Sequence, residues 1–201
     1  MAPYISGMDT PYEAPRLVAL CASSMGSGKS EVASILRDHG YHSVKLAAPV
    51  KALTRAFFKA CGVAGHKLDD MVDGDLKETP CAITPYRAIS PRVVMQTLGT
   101  EWGRGIIHPD IWADLCAEHI DRILDSGYRV VVDDLRYPNE WRMLKTFGAF
   151  VMNLHRPGAQ PLNDHPSEGA LTAEHFDCTL ENDSNLVMLR WRVCAALRLE
   201  G

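Results

Sequence analysis

The stretch Ser23-Ser24-Met25-Gly26-Ser27-Gly28-Lys29-Ser30 lies between a short apolar run and an amphipathic segment. It follows the pattern G-x-x-x-x-G-K-[ST], with Ser23 standing where the first glycine belongs. Small residues let backbone N–H groups curl around an anion, a lysine at this spacing reaches the outer phosphates, and the serine hydroxyl is placed to ligate Mg2+. The N-terminus of the helix that follows adds partial positive charge. Ser24, Met25, Gly26, Ser27, Gly28, Lys29 and Ser30 are therefore candidate ATP-phosphate residues. The plainer reading is a glycine-rich turn with an exposed lysine.

A second group follows the strongest strand signal, Val130-Val131-Val132-Asp133-Asp134-Leu135-Arg136. A carboxylate at the C-terminal end of a buried parallel strand sits where ligands bind in open α/β sheets, and such an aspartate can hold Mg2+. Alternation along a strand points neighbouring side chains to opposite sides, so one of Asp133 and Asp134 is expected at the site, not both. Arg136 adds a planar donor fork suited to phosphate. Lys29, Lys51, Lys77, Arg92, Arg136 and Arg156 are cations spread along the chain rather than gathered in one run. Transfer of a phosphoryl group between two anions asks for that kind of charge neutralisation and alignment, and for exclusion of water.

The elements that must position these groups are legible from periodicity. Residues 17–22 read as a strand buried on both faces. A helix is expected over 29–39, a short strand over 42–47, and a helix from Pro49 to near Gly62. Residues 65–89 are polar and acidic and read as a mobile lobe or loop region outside the core. Further helices are expected from Pro91, over about 109–126 and over 138–147, with strands at 129–133 and 149–154. A loop to 170 and a last helix from about Ser184 complete the pattern. Apolar strands alternating with helices imply a mostly parallel sheet covered on both faces. Trp102, Trp141 and Trp191 read as packing residues, and Met71, Met95 and Met143 as gap-fillers.

The chain has 201 residues, 46% hydrophobic and 23% charged, which suits one domain able to bury a core. Residues 1–15 read as a flexible leader and 16–201 as a single domain. Acidic residues outnumber basic ones 25 to 21, for a net charge of −4. That balance argues against a partner of nucleic-acid polymer, while leaving room for a local pocket of Lys and Arg. The six cysteines form no CxxC pair and no zinc-ligand spacing, so a reduced, cytoplasmic chain is expected. No apolar run reaches ~18 residues, and the first residues lack the basic-then-apolar pattern of a signal peptide. No membrane association is expected.

Taken together, the ordered blocks of this sequence resemble the bacteriophage deoxynucleoside monophosphate kinases, a branch of the P-loop nucleoside monophosphate kinase fold. The blocks are the phosphate loop, residues 46–53 (LAAPVKAL), 76–80 (LKETP), 92–101 (RVVMQTLGTE), 110–112 (DIW), 134–136 (DLR), 153–157 (NLHRP) and 164–168 (DHPSE). The block 92–101 is the most specific of them. The resemblance implies a three-layer α/β/α P-loop kinase domain, with a mainly helical acceptor-binding lobe over about 49–126 and a short lid over about 157–170.

The resemblance also implies roles. Lys29, Asp134 and Arg136 would be catalytic, and Arg156 would join the phosphate loop on ATP. Lys51, Lys77 and Arg92 would receive the acceptor monophosphate, with Thr97, Gly99, Thr100, Trp112 and Glu140 around its sugar and base. Ser30 and Asp134 would hold Mg2+. The partners implied are ATP and a deoxynucleoside monophosphate, with room for a homodimer, in an infected bacterium's cytoplasm. A lysine at 77 loses the bidentate geometry of an arginine but still neutralises a phosphate as a point charge. Each residue also has a plainer reading: Lys51 as a solvated surface lysine, Arg92 covering a helix end, Lys77 pairing with Asp75 or Glu78, Trp112 in the core, Glu140 opening its helix. His165 with Asp164 and Glu168 could touch substrate from the lid or, less readily, hold a metal. Two other readings stay open. One is a P-loop kinase for another phosphorylated metabolite, of the phosphomevalonate or dephospho-coenzyme A type. The other is a non-catalytic nucleotide-binding module, although no Asn-Lys-x-Asp or Thr-Lys-x-Asp element for guanine occurs.

Overall fold

The computed structural model describes residues 13–22, 24, 26–159 and 171–199. In chain order the elements begin β1 (Leu17–Cys21), α1 (Lys29–Asp38), β2 (Tyr41–Val44), α2 (Ala48–Ala60) and α3 (Gly65–Val72). A 3₁₀ turn (Asp75–Glu78) leads to β3 (Cys81–Thr84), β4 (Arg87–Ile89) and α4 (Pro91–Gln96), which runs on as a π-helix (Thr97–Ile107). Then come α5 (Ile111–Asp125), β5 (Arg129–Val132), α6 (Pro138–Thr146), β6 (Phe150–His155), β7 (Cys178–Glu181) and α7 (Leu186–Leu197).

Five strands form one sheet in the order β2-β5-β1-β6-β7, with every neighbouring pair parallel. β1 is buried at all five positions because it is the middle strand with helices on both faces. Its alternation sorts the core. Val18 and Leu20 meet Val32, Ile35 and Leu36 of α1 and Leu189, Val193 and Leu197 of α7. Leu17, Ala19 and Cys21 meet Ile120 and Leu124 of α5 and Leu144 of α6 on the opposite face. This is the three-layer α/β/α arrangement that the strand–helix alternation implies.

The helices between β2 and β5 form a lobe with a small core of its own, Phe58, Leu68, Met71 and Val94. Here 65–89 is part of a lobe, one of its two expected readings, but the expectation that it lies outside any core is corrected. α3 turns Leu68, Met71 and Val72 inward among its acidic residues, and residues 81–89 pair as an antiparallel hairpin. β7 was also not expected; it lies at the sheet edge, where only one of its four residues is buried. Trp102 and Trp191 are not core residues: they are 41% and 65% exposed. α7 is apolar on most sides but only one side meets the sheet. Trp141 does pack, its indole Nε1 donating to the His175 carbonyl at 2.7 Å. Among the described residues no helix is long and apolar enough to cross a membrane.

Candidate active site

Parallel strands deliver their C-terminal ends to one edge of the sheet, and the loops that leave those ends build the site. After β1 the chain turns into α1 through Gly26 and Gly28, with φ of +65° and +100°. A Cβ on Gly28 would also stand 2.5 Å from Asn182 Nδ2, and that amide donates to the Ser27 carbonyl at 3.0 Å. Arg156 Nη1 donates to the Gly26 carbonyl at 3.1 Å, so the loop is held from outside by groups from beyond β6 and β7. No side chain caps α1, leaving its first N–H groups open to an anion. The Ser24 and Ser27 hydroxyls are buried and have no hydrogen-bond partner among the described residues. A loop with left-handed glycines, uncapped helix N–H groups and two orphaned hydroxyls fits a phosphate chain. Met25, and Ser23 beside it, lie outside the described residues.

In front of this turn lies a cavity of about 500 Å³, within the usual range of small-ligand sites. Lys29, Ser30, Asp134, Arg136, Lys51, Lys77, Arg92, Gly99, Thr100, Trp112 and Glu140 all line it. Eleven residues expected at the site from scattered parts of the sequence thus meet in one wall. Thr97 does not line it and is exposed. Helical rotation of ~100° per residue turns Thr97 off the face that carries Gln96 and Thr100. Asp164, His165 and Glu168, with the rest of the expected lid from 160 to 170, lie outside the described residues.

The two aspartates behave differently from the strand-alternation expectation. β5 ends at Val132, so pleat alternation no longer separates them and both line the cavity. Asp134 accepts from the N–H groups of Leu46 and Ala47 at 2.8 and 3.1 Å, which ties the end of β5 to the turn opening α2. Asp133 is 8% exposed and pairs with Lys45. Burial raises the Asp134 carboxyl above its ordinary range, and the two N–H donors oppose that rise. Burial also lowers the Lys29 ammonium, with Arg136 pushing the same way. The Cys21 thiol close by is pushed up to about 12 by burial, so it stays protonated and is no nucleophile at neutral pH.

The acceptor-side cations arrive with partners. Lys51 Nζ lies 2.7 Å from Asp73, and Arg55 also binds Asp73 and Asp69. Burial raises the Asp73 carboxyl, but the bonds from Lys51 and Arg55 outweigh it and hold the group below its usual range. Arg92 Nε donates to Glu78 at 2.8 Å, and α4 is held at its start by the Ser90 hydroxyl, which accepts from Val93 N–H. Lys77 does not pair with Asp75 or Glu78 within 4.0 Å. Trp112 is buried and its Nε1 donates to the Gly99 carbonyl at 2.7 Å. It is a core residue that also lines the cavity. Glu140 offers no unengaged oxygen: Oε1 accepts from Arg104 at 2.9 Å, and Oε2 accepts from the N–H groups of Arg136 and Tyr137, both at 3.0 Å. Burial raises its carboxyl as well.

Lys45, Arg104, Asp133 and Tyr137 also line the cavity and were not singled out as site residues, Asp133 having been left as an alternative to Asp134. Lys45 follows the last residue of β2, a strand-end position that the longer expected strand concealed. Gly103 is the signal that could have exposed Arg104: a Cβ there would fall 2.1 Å from Trp112 Cζ2, a close approach that fixes the residue beside it.

Among the described residues no three His, Cys, Asp or Glu side chains gather to hold a metal by themselves. The oxygens of Ser30, Asp133 and Asp134 are nevertheless the hard donors that suit Mg2+, which keeps waters and takes substrate phosphates as its other ligands.

A family model described as "Deoxynucleotide monophosphate kinase" matches residues 75–193, more than half of the chain. The chain is 29% identical over 174 residues to a "Putative deoxynucleotide monophosphate kinase" of Acanthamoeba polyphaga mimivirus, covering 80% of this chain and 86% of that one. It is 32% identical over 101 residues to the "Deoxynucleoside-5'-monophosphate kinase" of Escherichia phage T5, covering 47% of this chain and 40% of the relative's length. Among solved structures, a dephospho-CoA kinase from Campylobacter jejuni aligns over 92% of this chain and 96% of its own, at 13% identity and a TM-score of 0.47.

Proposed function

The chain belongs to the deoxynucleotide monophosphate kinase family, and from that premise we propose that it moves the γ-phosphoryl group of ATP onto the 5′-phosphate of a deoxynucleoside monophosphate. One observation carries the reading: the phosphate-loop residues Lys29 and Ser30 share a single cavity with Asp133, Asp134 and Arg136 and with Lys51, Lys77 and Arg92. A donor site and an acceptor site with separate cations, opening on common space, is the arrangement that direct transfer asks for.

In this reading the turn 24–30 and the N-terminus of α1 cradle the donor phosphates, and Lys29 neutralises the outer ones. The Ser30 hydroxyl and an aspartate, Asp133 or Asp134, would hold Mg2+, which would supply charge neutralisation at the phosphates. Lys51, Lys77 and Arg92 hold the acceptor monophosphate. An acceptor phosphate oxygen attacks the γ-phosphorus in line, the bond from that phosphorus to the β–γ bridging oxygen breaks, and the electron pair leaves with ADP. Arg136 meets the charge spread over the transferred group. No protein nucleophile takes part, in keeping with the protonated Cys21.

The test is coupled ADP release with Mg-ATP against the four deoxynucleoside monophosphates, with CMP, GMP, phosphomevalonate and dephospho-coenzyme A alongside. Turnover confined to deoxynucleotides is the expected result. Turnover on a non-nucleotide acceptor alone would refute the reading, and so would ATP binding without any acceptor-dependent release.

A further inference from the structure

The phosphate loop is gripped from outside at two successive peptides, and the two grips differ in kind. The Gly26 carbonyl accepts from Arg156 Nη1 at 3.1 Å, and the Ser27 carbonyl accepts from Asn182 Nδ2 at 3.0 Å. Both peptides are trans, and in a planar trans peptide the N–H points opposite to its C=O. Pinning the two carbonyls therefore also sets the directions of the Ser27 and Gly28 N–H groups, away from Arg156 and Asn182. Gly28 immediately precedes α1, whose first N–H groups carry no side-chain cap, so its N–H extends that open set of donors by one.

Arg156 is an exposed cation, able to exchange a neutral carbonyl for a phosphate oxygen. Asn182 is neutral, so an arriving anion offers it far less. Only the NH2 end of its amide can face a carbonyl, and its place is fixed from several sides. Its backbone N–H donates to the His155 carbonyl at 2.7 Å, one residue past the end of β7. Arg192 of α7 binds the residues on either side of it, the Glu181 carbonyl and, at 2.6 Å, the Asp183 carboxylate. The amide lies against the bare Cα of Gly28, with Leu189 close behind. It is not spent on α7, whose cap is the Asn185 side chain.

We propose that Asn182 is a positioning residue for the donor phosphates: through the Ser27 carbonyl it aims the Gly28 N–H into the space that the phosphate chain fills. The proposal rests on the reading of the turn 24–30 as a phosphate loop, and not on which acceptor is phosphorylated. Glycine on one side of the Ser27–Gly28 peptide leaves that plane easily turned. Turned over, it would present a carbonyl oxygen to an anion. A donor fixed in advance costs no reorganisation when the anion arrives.

The test is equilibrium titration of the wild type and Asn182→Ala with Mg-ATP and with inorganic tripolyphosphate, which keeps the phosphate chain and lacks sugar and base. Expected is a loss of about tenfold in affinity for both probes, with KM for ATP rising alongside and KM for the acceptor unchanged. If Asn182→Ala unfolds, Asn182→Leu keeps the volume against Gly28 and Leu189 and removes only the donor, and gives the same comparison. Loss of ATP affinity with tripolyphosphate binding intact would overturn the inference, because Asn182 would then serve the base or the sugar. Unchanged affinity for both probes would overturn it as well, since a purely structural amide behaves that way. A wild type that binds neither probe would sink the phosphate-loop reading and this inference together. Turnover confined to a non-nucleotide acceptor would refute the proposed function and leave the titrations, and this inference, standing.

Discussion

The Lys45 ammonium lies 3.0 and 2.9 Å from the two oxygens of Asp133, while the neighbouring Asp134 turns both of its oxygens to backbone N–H groups. Adjacent carboxylates thus have separate duties, one facing a half-exposed lysine and one bracing a turn. Asp134→Asn should destabilise the protein by about 1–3 kcal/mol, because an amide can accept only through its oxygen and sets its NH2 against a buried donor. Asp133→Asn loses a pair whose lysine is 46% exposed, so its stability cost should stay under about 1 kcal/mol. Denaturant unfolding of the two variants checks the order, and the reverse order would refute this division of roles.

Lys29→Met should separate activity from stability. Burial lowers the folded pKa of Lys29 below its usual 10.5, so folding disfavours its charged form. That cost applies below the folded pKa and fades as pH rises through it. The variant should therefore be at least as stable as the wild type at neutral pH, with turnover reduced about 10²-fold or more. A variant that unfolds easily, or one that keeps near-normal turnover, would contradict the role given to this side chain.

The same shift predicts a pH profile. In the wild type, kcat/KM for ATP should fall on an alkaline limb centred below 10.5, since that ratio reports the free enzyme. An alkaline limb at or above the ordinary lysine value would show that burial does not govern the group.

Asp73 supplies an acid-side prediction. Its folded pKa lies below the ordinary 3.8 because the bonds from Lys51 and Arg55 overcome burial. A depressed carboxylate contributes stability above the unfolded pKa and loses it as pH falls through the folded one. Asp73→Asn should accordingly be less stable than the wild type at neutral pH, with the difference closing in acid below pH ~3.8. A difference independent of pH would assign the effect to packing.

Gly103→Ala tests the close approach of the π-helix to α5. The added Cβ would meet the rigid Trp112 ring at 2.1 Å, and overpacking of this kind costs about 1–3 kcal/mol or more. Thermal melting should show the loss, and KM for the acceptor should rise because Gly99 and Thr100 share that helix. An unchanged melting temperature would mean that the ring has room to move.

How much of this was readable beforehand depends on burial. β1 throughout, and β5 from Val130 on, are apolar because helices cover both faces, and such runs stand out in a sequence. β7 did not, because an edge strand with one buried residue carries little pattern. α3 was hidden because three inward residues suffice to dock it on a small lobe, leaving its composition acidic. The cations of the site were visible as chemistry in the wrong setting, spread over loops and helix starts. Thr97 falls one position past Gln96 and so turns off the cavity face, while Arg104, four residues beyond Thr100, returns to it. Asp133 and Asp134 were separated by an alternation that stops one residue too early to apply to them.

The ion pairs Lys51–Asp73 and Arg92–Glu78 also bear on what the cavity refuses. A bare cluster of cations would collect any passing anion, inorganic phosphate and sulfate included. At Lys51 and Arg92 an incoming anion must displace a carboxylate that is already tethered at high local concentration, so charge alone yields little net attraction there. Occupancy then depends on ligands that also engage the rest of the wall. At those two positions the resident carboxylates act as competitors built into the chain, so a small anion gains little from Lys51 or Arg92 alone.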